Sequence, residues 1–202
     1  MAQVNLYLGA MNSGKTTQML MAYHSYIENG KHPLIIKPCV DTRDGFIPEN
    51  TFGKITSRVF QDGDVSALYI NEFDKDFIFD LINEYRYDAV FCDEIQFFSF
   101  EAILGLTDIA DELNIPVNMY GLKTDINGNL FTGTQKAIAL ASNLFEIPSI
   151  CKCGEKATLH IRLTNGKPNS IGAESIVVDD KADVQYLSVC RKCWKKMVKA
   201  GN

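Results

Sequence analysis

Gly9-Ala10-Met11-Asn12-Ser13-Gly14-Lys15-Thr16 decides how the rest of the chain is read. These eight residues fit G-x-x-x-x-G-K-[ST], the pattern of a loop that wraps phosphate between a strand and a helix. The glycines let the backbone curl so that several N–H groups point inward. Lys15 supplies a mobile positive charge, and the Thr16 hydroxyl is placed to ligate Mg²⁺. The helix that follows aims the positive end of its dipole at the anion. The flanks agree: Val4–Leu8 reads as a strand, and Thr16 to about Asn29 as a helix stopped at Gly30.

Beyond this loop, strand-like and helix-like runs alternate. Leu34–Lys37 reads as a buried strand bracketed by Pro33 and Pro38, and Asp41–Ile55 as a long polar loop. Ser57–Phe60 and Ala67–Ile70 read as short strands. Asp74–Arg86 spaces Phe77, Ile78, Leu81, Ile82 and Tyr85 as a helix does. Ala89–Cys92 is a continuous apolar run of the kind found in a central parallel strand. Ser99 is placed to cap a helix reaching about Asn114, Val117–Tyr120 is a further strand, and Thr134–Asn143 a short helix. The alternation predicts an α/β fold over residues 1–150, a mainly parallel sheet covered on both faces. The composition changes at Cys151, so residues 151–202 are expected to form a smaller unit with two cysteine pairs and a basic C-terminal helix.

With 202 residues, 46% of them hydrophobic, the chain is long enough and apolar enough for one α/β core plus an appendage. A net charge of −5 argues against a polyanion grip, so no nucleic-acid partner is expected despite the basic run around the single tryptophan, Trp194. The first residues lack a basic leader region, and no stretch approaches the roughly 18 apolar residues that cross a bilayer. The expectation is a cytoplasmic protein with no membrane partner, where disulfides are disfavoured. Cys39 and Cys92 then read as small core residues.

Ala89–Cys92 runs into Asp93-Glu94. In a parallel α/β sheet, ligands gather outside the carboxyl ends of the strands. Asp93 there would hold Mg²⁺, directly or through water, and Glu94 could reach a nucleophile. That nucleophile is water in an ATPase and a substrate hydroxyl in a kinase. These residues alone leave open a nucleic-acid motor and a kinase of some other small acceptor. Cys151-x-Cys153 and Cys190-x-x-Cys193 would supply four thiolates, a set suited to tetrahedral structural Zn²⁺ with no open position. Buried free thiols or a disulfide are the plainer alternative.

Taken together, Gly9–Thr17, Asp41-Thr42-Arg43, Asp93-Glu94-Ile95-Gln96-Phe97-Phe98, Tyr120-Gly121-Leu122 and the two cysteine pairs resemble the successive motifs of the cellular-type (type II) thymidine kinases. The resemblance covers nearly the whole chain in the same order. It implies a P-loop (RecA-like) sheet with a small C-terminal zinc-containing domain and a substrate-enclosing lasso loop. The implied reaction moves the γ-phosphate of ATP to the 5′-hydroxyl of thymidine, giving dTMP and ADP. Glu94 resembles the general base, and Arg43 the arginine that approaches the transferring phosphoryl group. ATP is implied to contact Gly9, Ala10, Met11, Asn12, Ser13, Gly14, Lys15, Thr16, Thr17, Asp93, Glu94, Ile95 and Gln96, with Thr16 and Asp93 serving magnesium. The nucleoside is implied to lie among Met11, Asp41, Phe97, Leu122, Phe131 and Tyr186, with Ile176, Val177 and Val178 of the lasso flanking the base.

Two departures stand out. Ile126 occupies a position where many relatives have phenylalanine, and Asp179-Asp180 stands in place of a Gly-Gly pair. Family likeness also implies a homotetramer, feedback inhibition by dTTP and some use of deoxyuridine. Phe98 reads as core, Trp194 as packing on the zinc unit, and His24, His32 and His160 take no role.

Overall fold

The computed structural model describes residues 1–41, 45–55, 65–169, 172 and 184–201. Its elements begin with β1 (Val4–Gly9), α1 (Lys15–Glu28), β2 (Pro33–Pro38), β3 (Thr51–Lys54), β4 (Ser66–Ile70) and α2 (Lys75–Tyr85). Then come β5 (Ala89–Cys92), α3 (Phe100–Glu112), β6 (Val117–Leu122), α4 (Thr132–Leu140) and β7 (Asn143–Ile147). The last are β8 (Leu159–Thr164), β9 (Lys167–Pro168), β10 (Val184–Val189) and α5 (Arg191–Gly201). Among the described residues, seven strands form one sheet in the order β3-β4-β2-β5-β6-β1-β7, and every neighbouring pair is parallel except β3–β4.

The continuous apolar runs make sense in this sheet, because successive side chains leave a strand on opposite faces and here both faces are covered. Leu6, Leu8, Leu34, Ile36, Val90 and Cys92 join Ile78 and Ile82 of α2 and Ile103, Leu106 and Ile109 of α3 in one core. Ile35, Phe91 and Tyr120 join Met19 and Leu20 of α1 in a second core on the other face. At about 1.5–3 kcal/mol per buried large aliphatic side chain, these two layers dominate the stability of the sheet. The helix starts follow local chemistry. The Asp74 carboxylate accepts from Phe77 N–H at 3.1 Å, and the Ser99 hydroxyl oxygen, as expected, accepts from Ala102 N–H at 3.0 Å. Gly30, with φ of 70°, ends α1 as expected.

The structure departs from the sequence reading at the sheet's two edges. Thr51–Lys54, expected within a loop, is the antiparallel edge strand β3, mostly exposed and paired only to β4. The helix expected to reach Asn143 stops at Leu140, and Asn143–Ile147 is the other edge strand, β7. Both edges lack the two-sided burial that marks a central strand, so neither has the apolar signal. The strand expected at Ser57–Phe60 lies outside the described residues.

The second sheet, in the order β10-β8-β9, is antiparallel and two-faced. Leu159, Ile161, Leu187 and Val189 face a small core with Cys151, Ala157, Cys190, Trp194, Met197 and Val198. His160, Arg162, Tyr186 and Ser188 occupy the alternate positions of β8 and β10, with His160 opposite Ser188 and Arg162 opposite Tyr186. This polar face meets the phosphate loop. The Ser188 hydroxyl donates to the Met11 carbonyl, and Asn12 Nδ2 donates to the Tyr186 carbonyl at 3.5 Å.

Candidate active site

The loop between β1 and α1 curls as the sequence demands. Gly14 sits at φ 81°, a conformation that strains any residue with a Cβ, and it enters α1 with no side chain capping the helix. The N–H groups of that first turn therefore receive no acceptor from a capping side chain. Lys15 is buried and its Nζ donates to the Ala10 carbonyl at 3.0 Å. The Ser13 hydroxyl oxygen is buried without a hydrogen-bond partner among the described residues, as suits a loop shaped for an oxygen-rich anion.

The sheet order brings the acid pair to this loop. β5 and β1 flank β6, so Asp93 at the end of β5 and the loop at the end of β1 share the carboxyl edge. Thr16 Oγ1 donates to Asp93 Oδ2 at 2.9 Å, which joins the two groups expected to hold magnesium. Asp93 is fully buried and Glu94 nearly so. Glu94 has φ of 53°, a left-handed conformation costly for a non-glycine residue, and its N–H is held by Asp93 Oδ1 at 3.0 Å. The Gln96 amide donates to Glu94 Oε2, and Gln96 Oε1 accepts from Leu122 N–H at 2.9 Å. That bridge explains Gly121: a Cβ there would lie 2.8 Å from Gln96 Oε1 and 2.7 Å from Ile95.

The described residues among those assigned to the nucleoside make the following contacts. Phe97, half-buried, meets Phe131 edge-on with ring centroids 6.2 Å apart, while Phe98 is buried in the core as expected. Leu122 is tied to Gln96, and Met11 to Ser188 beside Tyr186. Asp41 is buried and paired with Lys37. Arg43, Ile176, Val177 and Val178 lie outside the described residues. Ile126 is buried, and its carbonyl accepts from Trp194 Nε1 at 3.0 Å. Trp194 thus packs in the small core, as expected, and also ties it to the loop after β6.

The sequence reading missed two buried groups here. Lys37 was hidden in an apolar strand; a charged residue between Ile36 and Pro38 was the available signal. His160, with no assigned role, is buried on the polar face of β8, its ring edge-on to Tyr186 with centroids 6.1 Å apart. Burial first, then the charge of Lys15, push its pKa down to about 4 against the opposing pull of Asp125, so the imidazole is neutral. The signal in this case was the alternation of Leu159, Ile161 and Leu163 with His160 and Arg162.

All four sulfurs of Cys151, Cys153, Cys190 and Cys193 lie within 4.8 Å of one another, and Cys153 Sγ is 3.7 Å from Cys190 Sγ. A tetrahedron with Zn–S bonds of about 2.3 Å has edges of about 3.8 Å, whereas a disulfide needs about 2.05 Å. The backbone N–H groups of Cys153 and then Cys190 draw the Cys151 thiol down to about 6. Contacts with Cys153, Cys190 and Cys151, in that order, push the Cys193 thiol up. Four thiolates so close repel one another and need a cation between them. The cluster fits a structural zinc site.

The family described as "Thymidine kinase" matches residues 2–194. A thymidine kinase of Francisella tularensis subsp. holarctica (strain LVS) is 37% identical over 205 residues, covering 98% of this chain and 99% of the relative. One from Escherichia coli O157:H7 is 34% identical over 207 residues, covering 100% and 95%. One from Legionella pneumophila (strain Lens) is 33% identical over 199 residues, covering 97% and 90%. The chain belongs to the thymidine kinase family. It is an ATP-dependent nucleoside kinase, and the family uses ATP with Mg²⁺. Among the described residues, no helix is long and apolar enough to cross a membrane.

Proposed function

We propose that the chain transfers the γ-phosphoryl group of ATP to the 5′-hydroxyl of thymidine, with Glu94 as general base. The carrying observation is the Thr16–Asp93 contact, which sets the phosphate loop and the acid pair at one point of the sheet edge. In this reading residues 9–17 hold the triphosphate, with Ile95 and Gln96 beside it. Magnesium bound at Thr16 and Asp93 supplies charge neutralisation at the phosphates. Glu94 takes the proton as the 5′-oxygen attacks the γ-phosphorus, and the bond to the β,γ-bridging oxygen breaks to release ADP. Its fixed, strained backbone suits a group whose work is positioning. Arg43 approaches the phosphoryl group. Met11, Asp41, Phe97, Leu122, Phe131 and Tyr186, with Ile176, Val177 and Val178, surround the nucleoside.

The reading divides the chain into a kinase core, 1–150, and a zinc and lasso unit, 151–202. It extends, by family likeness, to a cytoplasmic homotetramer inhibited by dTTP. The test is a panel of nucleosides with Mg-ATP, scored for monophosphate. Thymidine should react best. Deoxyuridine, lacking only a methyl contact, should fall about 10–200-fold, and deoxycytidine, with its donor and acceptor edge inverted, by roughly 10⁴-fold. Deoxycytidine used as well as thymidine would defeat the assignment.

A further inference from the structure

The next-to-last residue of β2 is a lysine to which the reaction scheme gives no task. Lys37 Nζ is 3.0 Å from Asp41 Oδ2, and both side chains are 3% exposed. Ile36 pairs with Cys92 across β2 and β5, and Asp93 N–H donates to the Ile36 carbonyl at 3.1 Å. The next step along these parallel strands therefore sets Lys37 beside Asp93. Ile35 and Phe91 belong to the core on the α1 side, and Ile36 and Cys92 to the opposite one. By that alternation Lys37 and Asp93 both leave the sheet on the α1 side, where Thr16 meets Asp93. The Lys37 ammonium also lies 5.6 Å from the ring centroid of Tyr69, its neighbour on β4. Asp41 is folded back by a turn in which its N–H donates to the Pro38 carbonyl at 3.1 Å, while Cys39 N–H donates to Ile70 at 3.0 Å.

We propose that Lys37 is a positioning residue for phosphoryl transfer, whose buried ion pair fixes Asp41 at the carboxyl ends of β2 and β5 beside the Thr16–Asp93 contact. This rests on the reading that Asp41 serves the nucleoside. A buried ion pair contributes little net stability, since an apolar pair of the same volume does as well, but it defines where each charge sits. Tyr69 and the turn at Pro38 leave the pair little room to move. Asp41 then enters the site already placed, and the entropy of ordering it is not charged to the reaction.

The test is a double-mutant cycle on the full-length zinc-loaded enzyme with Lys37→Met, Asp41→Asn and both together. Lys37→Met should lower kcat/KM for thymidine by about 10²-fold and leave KM for ATP within about threefold. If Lys37 acts through Asp41, the double variant should be no worse than Asp41→Asn alone. The double variant removes both charges of the pair, so its thermal midpoint should exceed that of Lys37→Met and report even if that single variant folds poorly. Losses that multiply in the double variant overturn the proposal. So does a folded Lys37→Met enzyme with unchanged kcat/KM beside an active wild type. A wild type inactive on thymidine overturns the functional reading as well as this role.

Discussion

The two sheets meet at the phosphate loop and are held by different means. The seven-stranded sheet is packed on both faces by large aliphatic and aromatic side chains, and it fixes Lys15, Asp93 and Glu94 at its carboxyl edge. The three-stranded sheet has a core whose buried members are Cys151, Ala157, Ile161, Val189, Cys190 and Val198, and two of these belong to the cysteine cluster that fits zinc. So small a core cannot hold a sheet against chain entropy without a staple. Yet in the proposed reading this sheet supplies Tyr186 to the nucleoside. In that reading phosphate chemistry rests on hydrophobic burial, and the nucleoside side rests on the cysteine cluster that fits zinc. The two should fail separately.

Zinc removal is the strongest way to break that comparison. Apparent binding free energies of structural zinc run to about 10–16 kcal/mol in small domains, and here most of that would be folding energy of β8, β10 and α5. Chelation, or Cys193→Ala, should release the Ser188–Met11 and Asn12–Tyr186 contacts and raise KM for thymidine sharply while Mg-ATP still binds. One zinc per chain should appear in elemental analysis. Protein purified without chelator that carries no zinc and retains full activity would show that the small sheet stands without its staple.

The next effect belongs to the large sheet alone. Glu94→Gln keeps shape and a hydrogen-bond acceptor but cannot take a proton, so kcat should fall about 10²–10⁴-fold, with zinc content and nucleoside affinity unchanged. A loss below about twofold would place the base elsewhere.

How much of this was legible in advance follows the same division. Central strands of the large sheet are buried on both faces, so Leu34–Ile36 and Ala89–Cys92 announce themselves as apolar runs. The phosphate loop, the acid pair and the cysteine pairs are local patterns whose spacing is their chemistry. β3 and β7 escaped because an edge strand is half-solvated and its pairing partner is remote in sequence. Lys37 and His160 escaped for a related reason. Their meaning comes from Asp41 and Asp93 across a turn and a strand, or from Lys15, Asp125 and Tyr186 on three other segments, and no window of sequence holds such a set.

His160 offers a smaller, pH-dependent contrast. Its folded pKa of about 4 lies below the unfolded value near 6.5, so between those values the unfolded chain binds more protons. Stability is therefore full above about pH 6.5 and declines as pH falls toward 4, by about 3 kcal/mol at most. The groups facing the ring are Lys15, Asp125 and Tyr186. His160→Gln should flatten the loss of urea stability between pH 6.5 and 5 relative to wild type. Zinc thiolates titrate in both proteins and cancel in the difference. Equal slopes in the two proteins would mean that the imidazole is charged in the folded state or that its sheet has already come apart.

The smallest expected effect asks whether the two sheets are one cooperative body. Ser99 caps α3, which packs on the face of the large sheet with Ile103, Leu106 and Ile109 in the core. Replacing it with alanine removes the acceptor for Ala102 N–H and should cost about 1 kcal/mol, read as a lower midpoint for the large sheet. Neither zinc nor the reacting groups are touched, so kcat should stay at the wild-type value at temperatures well below the transition. The informative quantity is the zinc unit's own midpoint, followed through Trp194 fluorescence, since that indole packs in the small core and hydrogen-bonds the Ile126 carbonyl. If the sheets melt independently, the Trp194 transition should not move while the far-UV transition does. A Trp194 midpoint that drops in step would mean that the Ser188–Met11 and Trp194–Ile126 contacts weld the two together. Their separate means of support would then be a matter of local construction with no consequence for how they unfold.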